Sequence, residues 1–138
     1  MDELRFTVEE QRVIDQALAE RSTGSAPGLS VAQLIERWER FVHEIARGYE
    51  FTIYDYTNDL ALRDIIQILL QLGPSIAGKL TPRVTLLDDL FRESTVEITR
   101  PIRRVGDVST ITWWYRRVPK RAGEDLLADL RFEGFDKP

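Results

Sequence analysis

Residues 29–47 read LSVAQLIERWERFVHEIAR, and this stretch decides the fold class. Ser30 is a favoured helix N-cap, and Gln33 three positions on completes a capping box. Leu29 before the cap and Leu34 at the fourth helical position match a hydrophobic staple. Val31, Leu34, Ile35, Trp38, Phe41, Val42 and Ile45 then recur at steps of three and four. The opposite face carries Glu36, Arg37, Glu39, Arg40, Glu44 and Arg47. A helix with one apolar stripe needs other elements to cover it, so the chain reads as a helical domain.

Downstream, Gly48 offers two readings. It suits a helix C-cap, or the helix runs on, because Tyr49, Ile53, Tyr56 and Leu60 extend the stripe. A third possibility is a short strand through Tyr49, Phe51 and Ile53. The favoured expectation is continuation to about Tyr56, since one glycine costs a helix only ~1 kcal/mol. Asn58 or Asp59 then caps a helix over 60–72, apolar almost all round, and Gly73-Pro74 stops it. After a short turn at 75–80, Thr81 is expected to cap another helix with Pro82 at its first position. That helix turns Val84, Leu87, Leu90 and Phe91 inward and ends near Ser94.

Upstream, the turn formers of 22–28 separate this body from a first helix over 7–21, boxed by Thr7 and Glu10. Toward the C-terminus the pattern changes. Residues 95–105 and 108–118 are rich in β-branched and aromatic types around Gly106-Asp107, which predicts a β-hairpin. A short helix follows at 124–130, and Phe132 and Phe135 are expected to dock the tail. The fold class is therefore mainly α (α+β): one small domain over 1–138, of about four main helices with an appended hairpin at 95–118. Trp38, Phe41, Ile65, Ile66, Leu69, Leu87 and Phe91 are the expected core.

Composition narrows the chemistry. With no cysteine there is no disulfide and no thiolate metal site, and one histidine forbids a multi-histidine site within the chain. His43 sits between Val42 and Glu44 on the second helix and reads as a boundary residue rather than a catalytic base. The N-terminus lacks a signal-type apolar core, and the apolar run around Gln67 falls far short of the ~20 residues that span a bilayer. A cytoplasmic protein without membrane contact is expected. Gly73 to Lys79 only echoes a phosphate loop, because Leu80 stands where Ser or Thr is required.

Charge is unevenly distributed. Residues 1–99 hold 10 Lys/Arg against 17 Asp/Glu, residues 100–121 hold 7 against 1, and residues 122–138 hold 2 against 5. The basic segment surrounds Trp113-Trp114-Tyr115 with Arg103, Arg104, Arg116 and Arg117, residue types that dominate interface hot spots. Successive strand residues point to opposite faces, so one of Trp113 and Trp114 is expected to stand exposed or beneath a partner. These seven residues are the candidate partner-binding set, for another protein or a second copy of this chain. Single-stranded nucleic acid is the alternative, through phosphate contacts and base stacking. A third reading uses Asp55, Asp59 and Asp64 as weak candidates for Mg²⁺ or acid–base chemistry. Its structural counterpart is helix capping, with Arg63 pairing Asp59 at i+4. No cofactor or catalytic residue is assigned.

With its Asp55-Tyr56 and Asn58-Asp59-Leu60 words in a helical setting, the stretch 38–64 resembles small uncharacterised bacterial proteins. The resemblance implies no activity. The function expected from the residues is a non-enzymatic protein-binding module or homo-oligomer, of the kind an acidic immunity- or antitoxin-like inhibitor of a basic partner would be.

Overall fold

The computed structural model describes residues 5–20, 30–102 and 110–135. The 22–28 linker, the Leu29 staple residue, the Gly106-Asp107 turn, Arg103 and Arg104 lie outside the described residues. Five helices are seen among the described residues: α1 (Val8–Glu20), α2 (Val31–Arg47), α3 (Ile53–Leu70), α4 (Pro74–Glu93) and α5 (Glu124–Phe132). Two short strands, β1 (Thr95–Glu97) and β2 (Arg117–Pro119), pair antiparallel, with Thr95 opposite Pro119 and Glu97 opposite Arg117. A 3₁₀ segment over Thr110–Arg116, kinked at Thr112, leads into β2.

Local signals place α1 and α2 as expected. Glu10 N–H donates to Thr7 Oγ1 at 3.1 Å and Thr7 N–H to Glu10 Oε1 at 2.8 Å. Ser30 and Gln33 exchange the same pair of bonds at the head of α2. The α2 stripe is buried along its whole length. Trp38 and Phe91 of α4 meet with ring centroids 5.3 Å apart, and Trp38 and Phe41 at 5.5 Å. Every expected core residue is buried except Ile65, which is half-buried.

Three junctions depart from expectation. First, α2 does not continue through Gly48. That glycine adopts φ +129°, a backbone L side chains rarely take, and its N–H closes the helix onto Glu44 and Ile45. Tyr49 then leaves the helix. Its N–H donates to Arg121 O at 2.8 Å and its carbonyl accepts from Gly123 N–H at 2.6 Å, a one-residue parallel bridge with Ala122. This exchange satisfies Tyr49's backbone N–H and carbonyl where the helix ends. The helix restarts at a Thr52–Asp55 capping box. Asn58 and Asp59 therefore sit inside α3 and do not cap it.

Second, Pro82 is not a helix start. It lies inside α4, which begins at Pro74 behind Gly73. An interior proline costs a helix about 3 kcal/mol. Here Ile76, Leu80, Val84, Leu87 and Phe91 form one buried stripe through it, so packing on both sides outweighs the local penalty.

Third, among the described residues only the base of the expected hairpin is strand. Trp113, Trp114 and Tyr115 lie in the 3₁₀ segment, so strand alternation does not apply to them. The tail docks by one of its two phenylalanines. Phe135 is half-buried under the Arg100 guanidinium, 4.1 Å from its centroid, whereas Phe132 is exposed. No helix among the described residues is long and apolar enough to cross a membrane.

Candidate functional site

Among the sequence-derived candidates, the Trp113–Tyr115 run is placed first. Trp114 and Tyr115 are fully buried. Trp114 Nε1–H donates to Asp64 Oδ1 at 2.8 Å and Tyr115 O–H to Asp64 Oδ2 at 2.6 Å. One carboxylate of α3 thus receives both polar ends of the segment, which lets two large aromatics enter the core with their donors satisfied. Trp113 is half-buried against Phe91 at 5.9 Å, with the Arg92 guanidinium 3.9 Å above it. The strand alternation from which one of the two tryptophans was expected to stand exposed or beneath a partner does not apply, because the 3₁₀ turn carries both toward the helices and leaves Trp113 half-buried.

Beside this anchor lies the most deeply buried charge pair of the described residues. Arg63 grips Asp88 with a two-pronged fork, Nε to Oδ1 at 3.0 Å and Nη2 to Oδ2 at 2.8 Å. Trp38 Nε1–H donates to the same carboxylate at 3.2 Å, and Arg63 lies 4.6 Å from the Trp114 centroid. Arg63 therefore pairs with Asp88 across α3 and α4 and not with Asp59 along its own helix. The network ties α2, α3, α4 and the 3₁₀ segment together. Its groups are engaged with one another.

The three aspartates do not converge. Asp55 serves the α3 cap by accepting from Thr52 Oγ1 at 2.8 Å. Asp59 accepts from Tyr49 O–H at 3.1 Å. Asp64 holds Trp114 and Tyr115. Asp55 and Asp59, four apart, share a side of α3, whereas Asp64, five residues further, is turned away toward the 3₁₀ segment. Among the described residues no group of three His, Cys, Asp or Glu is arranged to hold a metal ion. Asp59 is still electrostatically unusual. Burial pushes its carboxyl up to about 6, against the opposing pull of the Tyr49 hydroxyl, and Glu44 and Asp55 add to the rise while Arg37 resists it. Burial likewise pushes the Tyr49 and Tyr56 hydroxyls up. Tyr56 O–H donates to Arg117 O at 2.6 Å.

Several of the arginines in and beside the basic segment are used by the fold. Arg117 Nε–H donates to Thr95 Oγ1 at 2.8 Å, and its Nη2 reaches the carbonyls of Arg92 and Thr95. Arg100 donates to Glu133 O at 2.5 Å while stacking on Phe135. Arg116 is half-buried, and Lys120 and Arg121 are exposed.

Apolar exposure is found elsewhere. The exposed aromatic side chains of the described residues are Phe51 (51%), Tyr54 (77%) and Phe132 (88%). Phe51 and Tyr54 flank the start of α3, and Phe132 is the last residue of α5. The 49–53 linker runs beside the start of α5, where a Cβ on Gly123 would come within 3.0 Å of Glu50 Cα. Asp129 Oδ2 accepts from Ile53 N–H at 3.0 Å, so mid-α5 caps the first turn of α3. Tyr54 follows Ile53, and Phe132 lies one turn beyond Asp129. Sequence reasoning missed these exposures because Phe51 and Tyr54 stood next to stripe residues and Phe132 was assigned to the tail contact. His43 is exposed on α2. A shallow recess of about 210 Å³ on α2, lined by Gln33, Glu36, Arg37 and Arg40, is too open and polar to enclose a substrate.

Comparison with protein-family models, with curated proteins and with solved structures finds no match to this chain.

Proposed function

We propose that the protein is a non-enzymatic binding module for another protein. The observation that carries this reading is the exposure of three large aromatics, Phe51 and Tyr54 at the start of α3 and Phe132 at the end of α5. Large aromatics left in water are common in interaction surfaces, while the exposed aliphatic Val8 and Leu86 need no explanation. The internal use of Asp55, Asp64, Arg63 and Asp88 supports it, since each titratable group in question already serves a cap, a tryptophan or an ion pair. The reading sets the protein in the cytoplasm. Its acidic body fits an inhibitor of immunity or antitoxin kind acting on a basic target. Self-association through the same aromatics is the related alternative.

The test is affinity capture from source-cell lysate with and without nuclease. A protein that survives nuclease treatment supports the module. Recovery of nucleic acid alone, lost at high salt, replaces this reading with the nucleic-acid one.

A further inference from the structure

The first helix is held to the body by a small footprint. Only Glu10 and Ile14 of its 13 residues are buried, whereas α2 buries seven apolar residues along one stripe. Val13 and Leu18 pack partly against the core, and Val8 stands in water. α1 lies on α3, while Glu10 reaches the first two turns of α4. There its buried carboxylate accepts from Ser75 Oγ and from Lys79 Nζ, and Lys79 also sits 5.5 Å from the Phe6 centroid. The same carboxylate accepts from Thr7 N–H at 2.8 Å, which closes the α1 capping box. One side chain thus both starts the helix and fastens it to α4. A helix of this length is marginal alone in water, since the threshold lies at about 12–15 residues, so α1 depends on its docking. The rest of the fold does not depend on α1 in the same way. Trp38, Phe41, Leu69, Leu87 and Phe91 form a core among α2, α3 and α4, and the Arg63–Asp88 fork joins α3 to α4.

We infer that α1 is a strap that undocks and unfolds as one unit while α2, α3 and α4 stay packed, with Glu10 as its latch. Undocking bares Ile14 and the apolar surface of α3 beneath it, and redocking buries them again. The latch couples the two events. Once Lys79 and Ser75 are lost, the Glu10 carboxylate is free to turn to water and the α1 cap is weakened with it. Elements with few buried apolar contacts open at a lower free energy than the whole fold. This inference goes beyond the protein-binding reading and stands without it.

The test is amide hydrogen exchange on the full chain, read by mass spectrometry at urea concentrations below the unfolding transition. Amides of α1 exchange at least about tenfold faster than the buried amides of α2. Their exchange also depends less on urea, because undocking exposes less surface than global unfolding. Glu10→Lys with Ile14→Asp holds the strap open. In that variant α1 loses its protection, and the helical circular-dichroism signal falls by no more than the 13 residues of α1 contribute. The amides of α2, α3 and α4 stay protected, and melting remains a single transition. Equal rates and equal urea slopes for α1 and α2 in the parent overturn the inference, since α1 then opens only with the whole fold. If the double charge change unfolds the chain, Glu10→Gln with Ile14→Ala takes its place. Loss of α2, α3 and α4 protection in that milder variant overturns the inference as well.

Discussion

Replacing Trp114 by Ala tests whether the aromatic segment is core or contact surface. The ring has no exposure, its N–H donates to Asp64 at 2.8 Å, and it packs edge-on against Trp113 at 5.7 Å. Truncating a fully buried tryptophan costs roughly 3–5 kcal/mol. Asp64 loses one of its two aromatic donors, which adds about 1 kcal/mol. Domains of this size hold roughly 5–15 kcal/mol in total, so a large share of stability goes. At about 3 °C per kcal/mol, the melting midpoint falls by roughly 12–18 °C. Thermal and urea unfolding by circular dichroism read this directly. Trp114→Phe keeps most of the volume and loses the hydrogen bond, so it falls by a smaller step. Arg116→Ala, at the half-buried edge of the segment, changes stability little. A Trp114→Ala midpoint within about 2 °C of the parent refutes the placement of this ring in the core. The same arithmetic shows that a binding defect in Trp114→Ala reports loss of fold, whereas Phe51, Tyr54 and Phe132 test the surface.

Four further outcomes follow from the geometry. Asp59 titrates near 6 in the fold against an ordinary 3.8, so the folded state holds its proton more tightly and stability falls as pH rises through that window. Asp59→Asn therefore stabilises the protein at pH 7 by about 1 kcal/mol, a figure reduced for the solvent that reaches this half-buried group, and gains nothing below 3.8. A parental midpoint at neutral pH in that variant rejects the argument. Glu10 shows the opposite sign: Lys79, Ser75 and the Thr7 N–H hold it at about 2 against an ordinary 4.5. Its stabilisation is complete above 4.5 and lost as pH falls toward 2, so Glu10→Gln flattens the acid limb of a midpoint-versus-pH curve. Removing one partner of the buried pair, by Arg63→Leu, costs roughly 3–5 kcal/mol, and adding Asp88→Leu recovers much of it in a double-mutant cycle. Gly123→Ala places a methyl 3.0 Å from Glu50 Cα and 3.2 Å from Tyr49 O, and costs about 1–3 kcal/mol by denaturant titration.

The sequence by itself determined the elements whose signals are local. Thr7 with Glu10 and Ser30 with Gln33 place two helix starts, because a capping box is closed within four residues. The α2 stripe, the α3 core residues and an antiparallel strand pair near the C-terminus were legible from periodicity and β-formers, although a two-residue turn at Gly106-Asp107 sets Thr95 opposite Val118, one residue short of the observed Pro119. Tertiary structure decided the rest. The break at Gly48 depends on Arg121 and Gly123 supplying backbone partners to Tyr49 from more than seventy residues away. Pro82 matches a helix start locally, and only burial on both sides of it explains an unbroken α4. Asp64 was read with Asp55 and Asp59, yet its partners Trp114 and Tyr115 lie fifty residues downstream. The exposed aromatics were hidden for the same reason. Whether an aromatic is buried depends on which distant element covers it: Trp114 is covered by α3, and Phe51, Tyr54 and Phe132 remain open at the start of α3 and the end of α5. Short-range hydrogen bonding and apolar period are written in consecutive residues, whereas burial is a property of the assembled neighbours.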